Sequence, residues 1–294
     1  MAGNPWAASI EPTTSCNLRC SECPIGMQSL TRSKGNMSLD DFREILDKLS
    51  PDLIYLTLYF QGEPLLNPGF TTMVQMARKR RIFVATSTNG HFLNDQKVSE
   101  ILNSGLNHLI ISMDGLDQET YEKYRVNGNL QTVIDGIIRL VAAKKALNSH
   151  LPFIELQFIV MRHNEHQIQQ MKAFAKQCGV NKLSFKTAQV YNFNSESTII
   201  PTLKSKSRYR KSSEGSWVMA NKIRNRCHWI WSSMVVTWDG RVVPCCYDKN
   251  ADHQTGNLLD ESLSELWKNQ QYSTFRRQVL KNRSETEICR NCGE

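Results

Sequence analysis

The sequence predicts an α/β protein: six strand–helix units closing into a partial TIM-like (βα)6 barrel, followed by a small C-terminal unit of one β-hairpin and short helices. Three observations carry this. Apolar, β-branched runs of strand length recur through the first 190 residues and alternate with capped, amphipathic helical segments. Polar turn residues stand at the C-terminal ends of successive strands, where the chemistry of a barrel collects. Beyond residue 200 the alternation gives way to a polar, basic, serine-rich stretch and then to a hairpin pattern. No internal repeat interrupts the series. An open doubly wound sheet is the structural alternative.

The elements follow in order. Trp6 to Pro12 reads as the first strand, and Ser38-Leu39-Asp40-Asp41 caps a helix to Leu49 with Phe42, Ile45, Leu46 and Leu49 on one face. Strands are expected at Leu53–Phe60, Ile82–Thr88, His108–Met113, Phe153–Val160 and Lys182–Lys186. Helices are expected at Pro68–Arg80, Asp95–Ser104, Leu130–Leu147 and Glu165–Cys178. Near-continuous apolar strands of this kind predict a parallel sheet with helices on both faces. Met234–Trp238 and Arg241–Cys246, joined by Asp239-Gly240, predict a hairpin with a two-residue turn, and Leu258–Trp267 and Tyr272–Leu280 predict short helices. The expected division is a barrel over residues 1–200, a basic linker or lid over 201–226, and a C-terminal unit over 227–294.

The most informative stretch is Cys16-Asn17-Leu18-Arg19-Cys20-Ser21-Glu22-Cys23-Pro24, three cysteines on one loop directly after the first strand. A thiolate triad of this spacing can hold three irons of a [4Fe–4S] cube and leave the fourth iron open. A structural zinc site needs four closed ligands, and no fourth candidate stands nearby. Nine cysteines gathered near both ends of a chain without a signal-peptide layout point to metal rather than disulfides. No apolar run approaches the length of a membrane span, so a cytoplasmic protein is expected.

Net charge is +8, from 36 basic and 28 acidic residues, and it is unevenly placed. Between Pro201 and Arg226 eight basic residues face one acid, Glu214. Such a run reads either as a solvated linker or as a cationic rim for an anionic substrate, peptide or cluster. No motif of a nucleic-acid-binding fold accompanies it.

CxxxCxxC after a first strand resembles the radical S-adenosylmethionine (radical SAM) superfamily. The resemblance implies SAM chelated at the open iron of a cluster on Cys16, Cys20 and Cys23, with reductive cleavage to a 5′-deoxyadenosyl radical that removes hydrogen from a substrate. Gln61-Gly62-Glu63-Pro64 resembles the family's GGEP motif, with Gln at its first position, and implies contact of Gly62, Glu63 and Pro64 with the SAM amino group. Ser112 and Asp114 resemble the SxDG strand end near the SAM ribose and carboxylate, Asn89 lies in a family TNG segment, and Arg125 matches an arginine placed to pair with the SAM carboxylate. The residue before the third cysteine is usually aromatic or Met in the family and is Glu22 here.

The C-terminal cysteines are Cys227, Cys245, Cys246, Cys289 and Cys292. On spacing alone a four-cysteine zinc ribbon remains open. Cys227, Gly240 and Cys245, with Gly256-Asn257-Leu258, Leu263, Glu265-Leu266-Trp267 and Arg276, resemble the SPASM/twitch extension of radical SAM enzymes. Their number resembles the one-cluster twitch form and implies a second [4Fe–4S] cluster on Cys227, Cys245, Cys289 and Cys292. Cys246 is left out because its neighbour on a strand faces the other way. Cys178 reads as helix packing.

The expected activity is radical SAM oxidoreduction, with the second cluster accepting an electron and small-molecule alcohol dehydrogenation as the favoured reaction. Alternatives are a peptide-modifying enzyme, for which no leader-binding domain is read ahead of the barrel, and a binding protein stapled by zinc. A flavodoxin or ferredoxin is the expected electron donor. Tyr59, Gln157, Lys186 and Tyr191 lie at or near strand ends, and a desolvated Lys186 is the candidate base for a substrate proton. Strand parity decides whether such residues point inward.

Overall fold

The computed structural model describes residues 3–191 and 197–293. The first part runs β1 (Ala7–Ile10), α1 (Leu39–Leu49), β2 (Tyr55–Thr57), α2 (Phe70–Lys79), β3 (Phe83–Thr88), α3 (Asp95–Ser104) and β4 (His108–Ser112). It continues through α4 (Gln118–Glu122), α5 (Leu130–Ala146), β5 (Phe153–Val160), α6 (Ile168–Cys178) and β6 (Lys182–Thr187). Local chemistry sets the boundaries. The Ser38 hydroxyl accepts from Asp41 N–H to open α1, and Asn94 and Asn129 do the same for α3 and α5.

Strands β1 to β6 are parallel and lie side by side in sequence order. When every crossover is right-handed and each strand adds beside the last, all helices fall on the same face. The core has that form. Phe42 of α1, Phe70 of α2, Ile101 of α3, Ile137 of α5 and Met171 of α6 share one apolar cluster with Ile10, Leu56, Val84, Ile111 and Phe158 from the strands. Each fully buried side chain of this kind contributes about 1.5–3 kcal/mol. Helices therefore cover one face rather than two, and a doubly wound sheet is excluded. The other face carries the alternate residues: Ser9 opposite Thr57, then Ser112, Gln157 and Ser184 in one row, with Lys186 beside Ile159.

The C-terminal part runs β7 (Tyr209–Lys211), β8 (Trp217–Met219), α7 (Trp229–Ser232), β9 (Ser233–Val236), β10 (Arg241–Val243), β11 (Gly256–Asn257), α8 (Leu263–Lys268) and α9 (Gln270–Asn282). The expected hairpin is present, but it extends the barrel sheet. Strand β9 pairs in parallel with β1, and the sheet reads β11-β10-β9-β1-β2-β3-β4-β5-β6. Met234, Val236, Trp267 and Tyr272 join the main core. The hairpin turn holds three residues, Trp238-Asp239-Gly240, because Thr237 N–H already bonds the Arg241 carbonyl at 2.9 Å. Gly240 closes it at φ +83°. The tryptophan needs that extra position, since its indole N–H reaches the Ser33 carbonyl at 3.1 Å.

The basic stretch is only partly solvated. Tyr209 is buried with Val190 and Ile200. Arg208 donates to the Asn291 carbonyl at 2.9 Å and the Tyr247 hydroxyl at 3.0 Å, which pins the segment against the last cysteine pair. Among the described residues, no helix is long and apolar enough to cross a membrane.

Candidate functional site

Cys16, Cys20 and Cys23 occupy the loop that leaves β1. The loop is fastened from two sides. Arg19 and Ser21 N–H groups bond the carbonyls of Val126 and Tyr124 at 3.0 and 3.3 Å, and Glu63 N–H bonds the Ser15 carbonyl at 2.7 Å. Gly62 lies at φ +74°, and a Cβ there would stand 2.4 Å from the Thr13 carbonyl oxygen, so this close approach demands glycine. Gln61 keeps an ordinary backbone conformation, so the motif's first position needs no glycine in this chain.

N–H donors already point at two of the sulfurs. Leu18 N–H lies 3.4 Å and Asn89 Nδ2 3.9 Å from Cys16 Sγ, and Arg125 Nη1 lies 3.7 Å from Cys20 Sγ. Burial pushes the Cys16 thiol up to about 11 and the Cys20 thiol upward, so metal-free thiolates would be disfavoured here. A metal cluster supplies the missing positive charge and N–H donors suit its sulfurs, so the donor set fits an iron–sulfur cluster. Among the described residues no three His, Cys, Asp or Glu side chains converge as the ligands of a single ion would.

The other expected residues gather around this loop. The Glu63 carboxylate is buried and accepts from Thr88 Oγ1 and Asn89 N–H at 2.8 Å each and from Leu65 N–H at 3.1 Å. Burial outweighs these bonds and lifts it to about 7. Pro64 begins the 3-10 turn that follows. Asn89 also donates to Asn17 Oδ1 at 2.8 Å, inside the cysteine loop. Ser112 is buried at the end of β4, in register with Gln157.

Arg125 is neither on a helix surface nor exposed. It sits beyond α4 and holds the buried Asp114 carboxylate with Nε and Nη2 at 2.6 Å each. The second oxygen of Asp114 accepts Ile159 N–H at 2.6 Å. Burial works against the Arg125 charge, but Asp114 and then Cys20 outweigh it and keep the guanidinium charged. Asp114 thus spends its carboxylate on aiming Arg125 at the cysteine loop. Glu22 accepts Tyr191 N–H at 2.9 Å and ties the loop to the chain beyond β6.

Tyr59 and Lys186 face away from the helices. Burial drives the Tyr59 hydroxyl upward. Lys186 is exposed on β6, the last strand of the sheet, so it lacks the desolvation that its expected role as base requires.

A second cysteine set forms around the hairpin. Cys227, Cys245 and Cys289 pack with Ile230, Phe275, Val279 and Ile288. Arg283 Nη2 donates to Cys292 Sγ at 3.0 Å and Tyr247 N–H to Cys245 Sγ at 3.5 Å. This set, with Cys289 and Cys292 buried, Cys227 and Cys245 half-buried, and donors aimed at two sulfurs, also fits an iron–sulfur cluster. Strand β10 ends at Val243, short of the expected Cys246, so alternation along a strand does not separate Cys245 from Cys246. Their side chains bond each other, which together with burial raises the Cys245 thiol, and what sets Cys246 apart is its exposure. The contacts of Arg208 span 39 and 83 residues and leave no local signal, whereas Arg283 stands nine residues before Cys292 but in no recognised motif. Thr88 belongs to the TNG segment read from the sequence, and the structure adds its hydroxyl's bond to the Glu63 carboxylate.

Comparison with known proteins agrees with this geometry. Residues 10–174 match the Radical SAM superfamily, and residues 227–293 match an iron–sulfur cluster-binding domain, SPASM. The second match speaks against a zinc staple. The tungsten-containing aldehyde ferredoxin oxidoreductase cofactor-modifying protein of Pyrococcus furiosus is 27% identical, over 91% of this chain and 82% of its own. The PqqA peptide cyclase of Gluconobacter oxydans is 24% identical, over 90% of this chain and 76% of its own. The crystal structure of BtrN in complex with AdoMet and 2-DOIA aligns over 100% of this chain and 95% of its own, with TM-score 0.60 and 19% identity. The chain belongs to the radical SAM superfamily and carries a SPASM domain.

Proposed function

We propose that the chain is a radical SAM oxidoreductase that removes two electrons from a substrate C–H centre facing the helix-free side of the sheet. Cys16, Cys20 and Cys23 would hold the SAM-binding [4Fe–4S] cluster, and Cys227, Cys245, Cys289 and Cys292 a second one. When bound, the first cluster and SAM supply a 5′-deoxyadenosyl radical for hydrogen abstraction, and the second cluster supplies an electron sink. The residues of the chain bind and orient. Gly62, Glu63 and Pro64 shape the rim over the open corner, with Asn89 against Cys16. Ser112 borders the same floor, and the Asp114 carboxylate aims Arg125 for a cofactor carboxylate.

One observation carries this reading: the chain at Val190–Tyr191 bonds to both cysteine sets, with Tyr191 N–H on Glu22 beside Cys23 at 2.9 Å and the Val190 carbonyl accepting Asn291 Nδ2 beside Cys292 at 2.7 Å. A substrate on the polar side of the sheet would therefore lie between a source of the radical and a sink for the electron. A small secondary alcohol is the first substrate class to test. A peptide side chain is the second, favoured by the PqqA peptide cyclase relative. Lys186 would assist an alcohol only if bound substrate covered it.

Anaerobic reconstitution tests the proposal. About eight irons per chain and dithionite-dependent 5′-deoxyadenosine support it, since each cube holds four irons. About four irons would remove the sink, and no SAM cleavage would remove the radical chemistry. Deuterium passing from a labelled alcohol or peptide into 5′-deoxyadenosine identifies the substrate class.

A further inference from the structure

The basic stretch singled out in the sequence ends on a feature that the proposed reaction does not use. A cavity of about 740 Å³ opens beside the second cysteine set, with Cys227 and Cys292 in its wall and Lys222, Arg224, Arg226 and Trp231 around them. The three cationic side chains at its mouth are exposed. No acidic residue lines it among the described residues.

The surroundings are apolar as well as cationic. His228, also in the wall, places its ring 6.4 Å from Trp6 and 5.9 Å from Trp229. Trp6, Trp229, Trp231 and Leu280 are 39%, 43%, 38% and 47% exposed. Exposed tryptophans beside arginines are the composition of a protein-binding hot spot.

Position narrows the partner. Trp6 immediately precedes β1 and its N–H bonds the Ser232 carbonyl, whereas the Cys16 loop leaves the other end of β1. The patch thus lies away from the first cysteine loop and against the second. A substrate peptide seated here would be remote from the radical source.

We propose that this face docks an acidic electron-carrier protein of the flavodoxin or ferredoxin class, with Lys222, Arg224 and Arg226 meeting its acidic surface and Trp229 its apolar one. The inference rests on the proposed two-electron oxidation and completes its balance. The substrate gives one hydrogen atom to the SAM-derived radical. Its second electron leaves by way of the second cysteine set, and a proton passes to solvent. The oxidised carrier takes that electron, one per turnover.

The test uses the reconstituted protein and an oxidised acidic flavodoxin, with anaerobic calorimetry at several salt concentrations. Binding is expected to weaken steeply with salt. Replacing Lys222, Arg224 and Arg226 together by Glu should weaken it at least tenfold and flatten the salt dependence. Trp229→Ser should weaken it while leaving the salt dependence in place, which guards against misfolding of the triple variant. Dithionite-driven formation of 5′-deoxyadenosine, which needs no docking, should stay at the wild-type rate in both variants. Flavodoxin binding unchanged by either variant overturns the proposal, as does a triple variant that loses only affinity for a polyglutamate peptide. Wild-type protein that forms no 5′-deoxyadenosine with dithionite fails the functional reading instead, and flavodoxin affinity still scores the docking face.

Discussion

Arg32→Ala tests how the first cysteine loop is anchored. Arg32 grips the Glu11 carboxylate with Nη1 at 2.7 Å and Nη2 at 2.6 Å, and its Nε donates to the Lys249 carbonyl at 2.7 Å. Side-chain exposure is 1% for Arg32 and 0% for Glu11. Without the guanidinium, Glu11 keeps one donor, Trp238 N–H at 3.2 Å. Removing one partner of a buried pair strands a charge and costs about 3–5 kcal/mol. With a urea slope of about 3 kcal/mol/M, the unfolding midpoint falls by about 1 M or more.

The loss should depend on pH. Burial already raises the Glu11 carboxyl above its usual value despite Arg32, and removing Arg32 raises it further. A carboxyl raised in the folded state contributes stability that is full below its unfolded value near 4.5 and is lost as pH rises through the folded value. Arg32→Ala should therefore fall further below wild type at pH 8 than at pH 5. Urea unfolding of the metal-free, reduced protein, followed by tryptophan fluorescence, measures this. An unchanged midpoint, or a deficit equal at both pH values, refutes the burial argument. Glu11→Leu with Arg32→Met should recover most of the loss, since an apolar pair leaves no charge behind.

Gly62→Ala should abolish SAM cleavage while iron content falls less, because its Cβ would meet the Thr13 carbonyl and displace the motif from the cysteine loop. Affinity for SAM, measured on reconstituted protein, should rise with pH through about 7 as Glu63 deprotonates to accept from the cofactor's amino group, and Glu63→Gln should flatten that rise. Arg125→Lys, which loses the paired grip on Asp114, should lower SAM affinity by at least tenfold, read from the change SAM causes in the cluster's EPR signal. Cys245→Ser should remove about four irons per chain and Cys246→Ser none, with iron counted after reconstitution.

Where structure is local, the sequence revealed it. Helix α3 and strand β5 fall on their expected boundaries because their signals are local: Asn94 caps the helix and Gly105 ends it, and the strand is one apolar run after Pro152. The turn of the β9–β10 hairpin differs by one residue because Trp238 answers to Ser33, far away in the chain. Helices on one face followed from strand order, which periodicity does not contain. Lys186 has the inward parity that its role required, yet only the pairing of the sheet reveals that β6 is an edge where a lysine stays wet.

The cysteines were legible as ligands because their spacing is a local property, but their relation to each other was not. A sequence divided at residue 227 suggests two bodies joined by a linker. Strand β9 pairs with β1 residue for residue, from Ala7 with Ser233 to Ile10 with Val236. The strand that launches the first cysteine loop is thus hydrogen-bonded to the strand that follows Cys227. Hinge motion between the two sets would have to break that ladder and expose Met234 and Val236 from the shared core. The proposed passage of an electron from substrate to the second set would consequently cross a fixed separation rather than wait on docking of two domains. Val235→Pro, which removes a backbone N–H from this central strand between β1 and β10, should therefore damage both sets together, read as iron lost from each after anaerobic reconstitution.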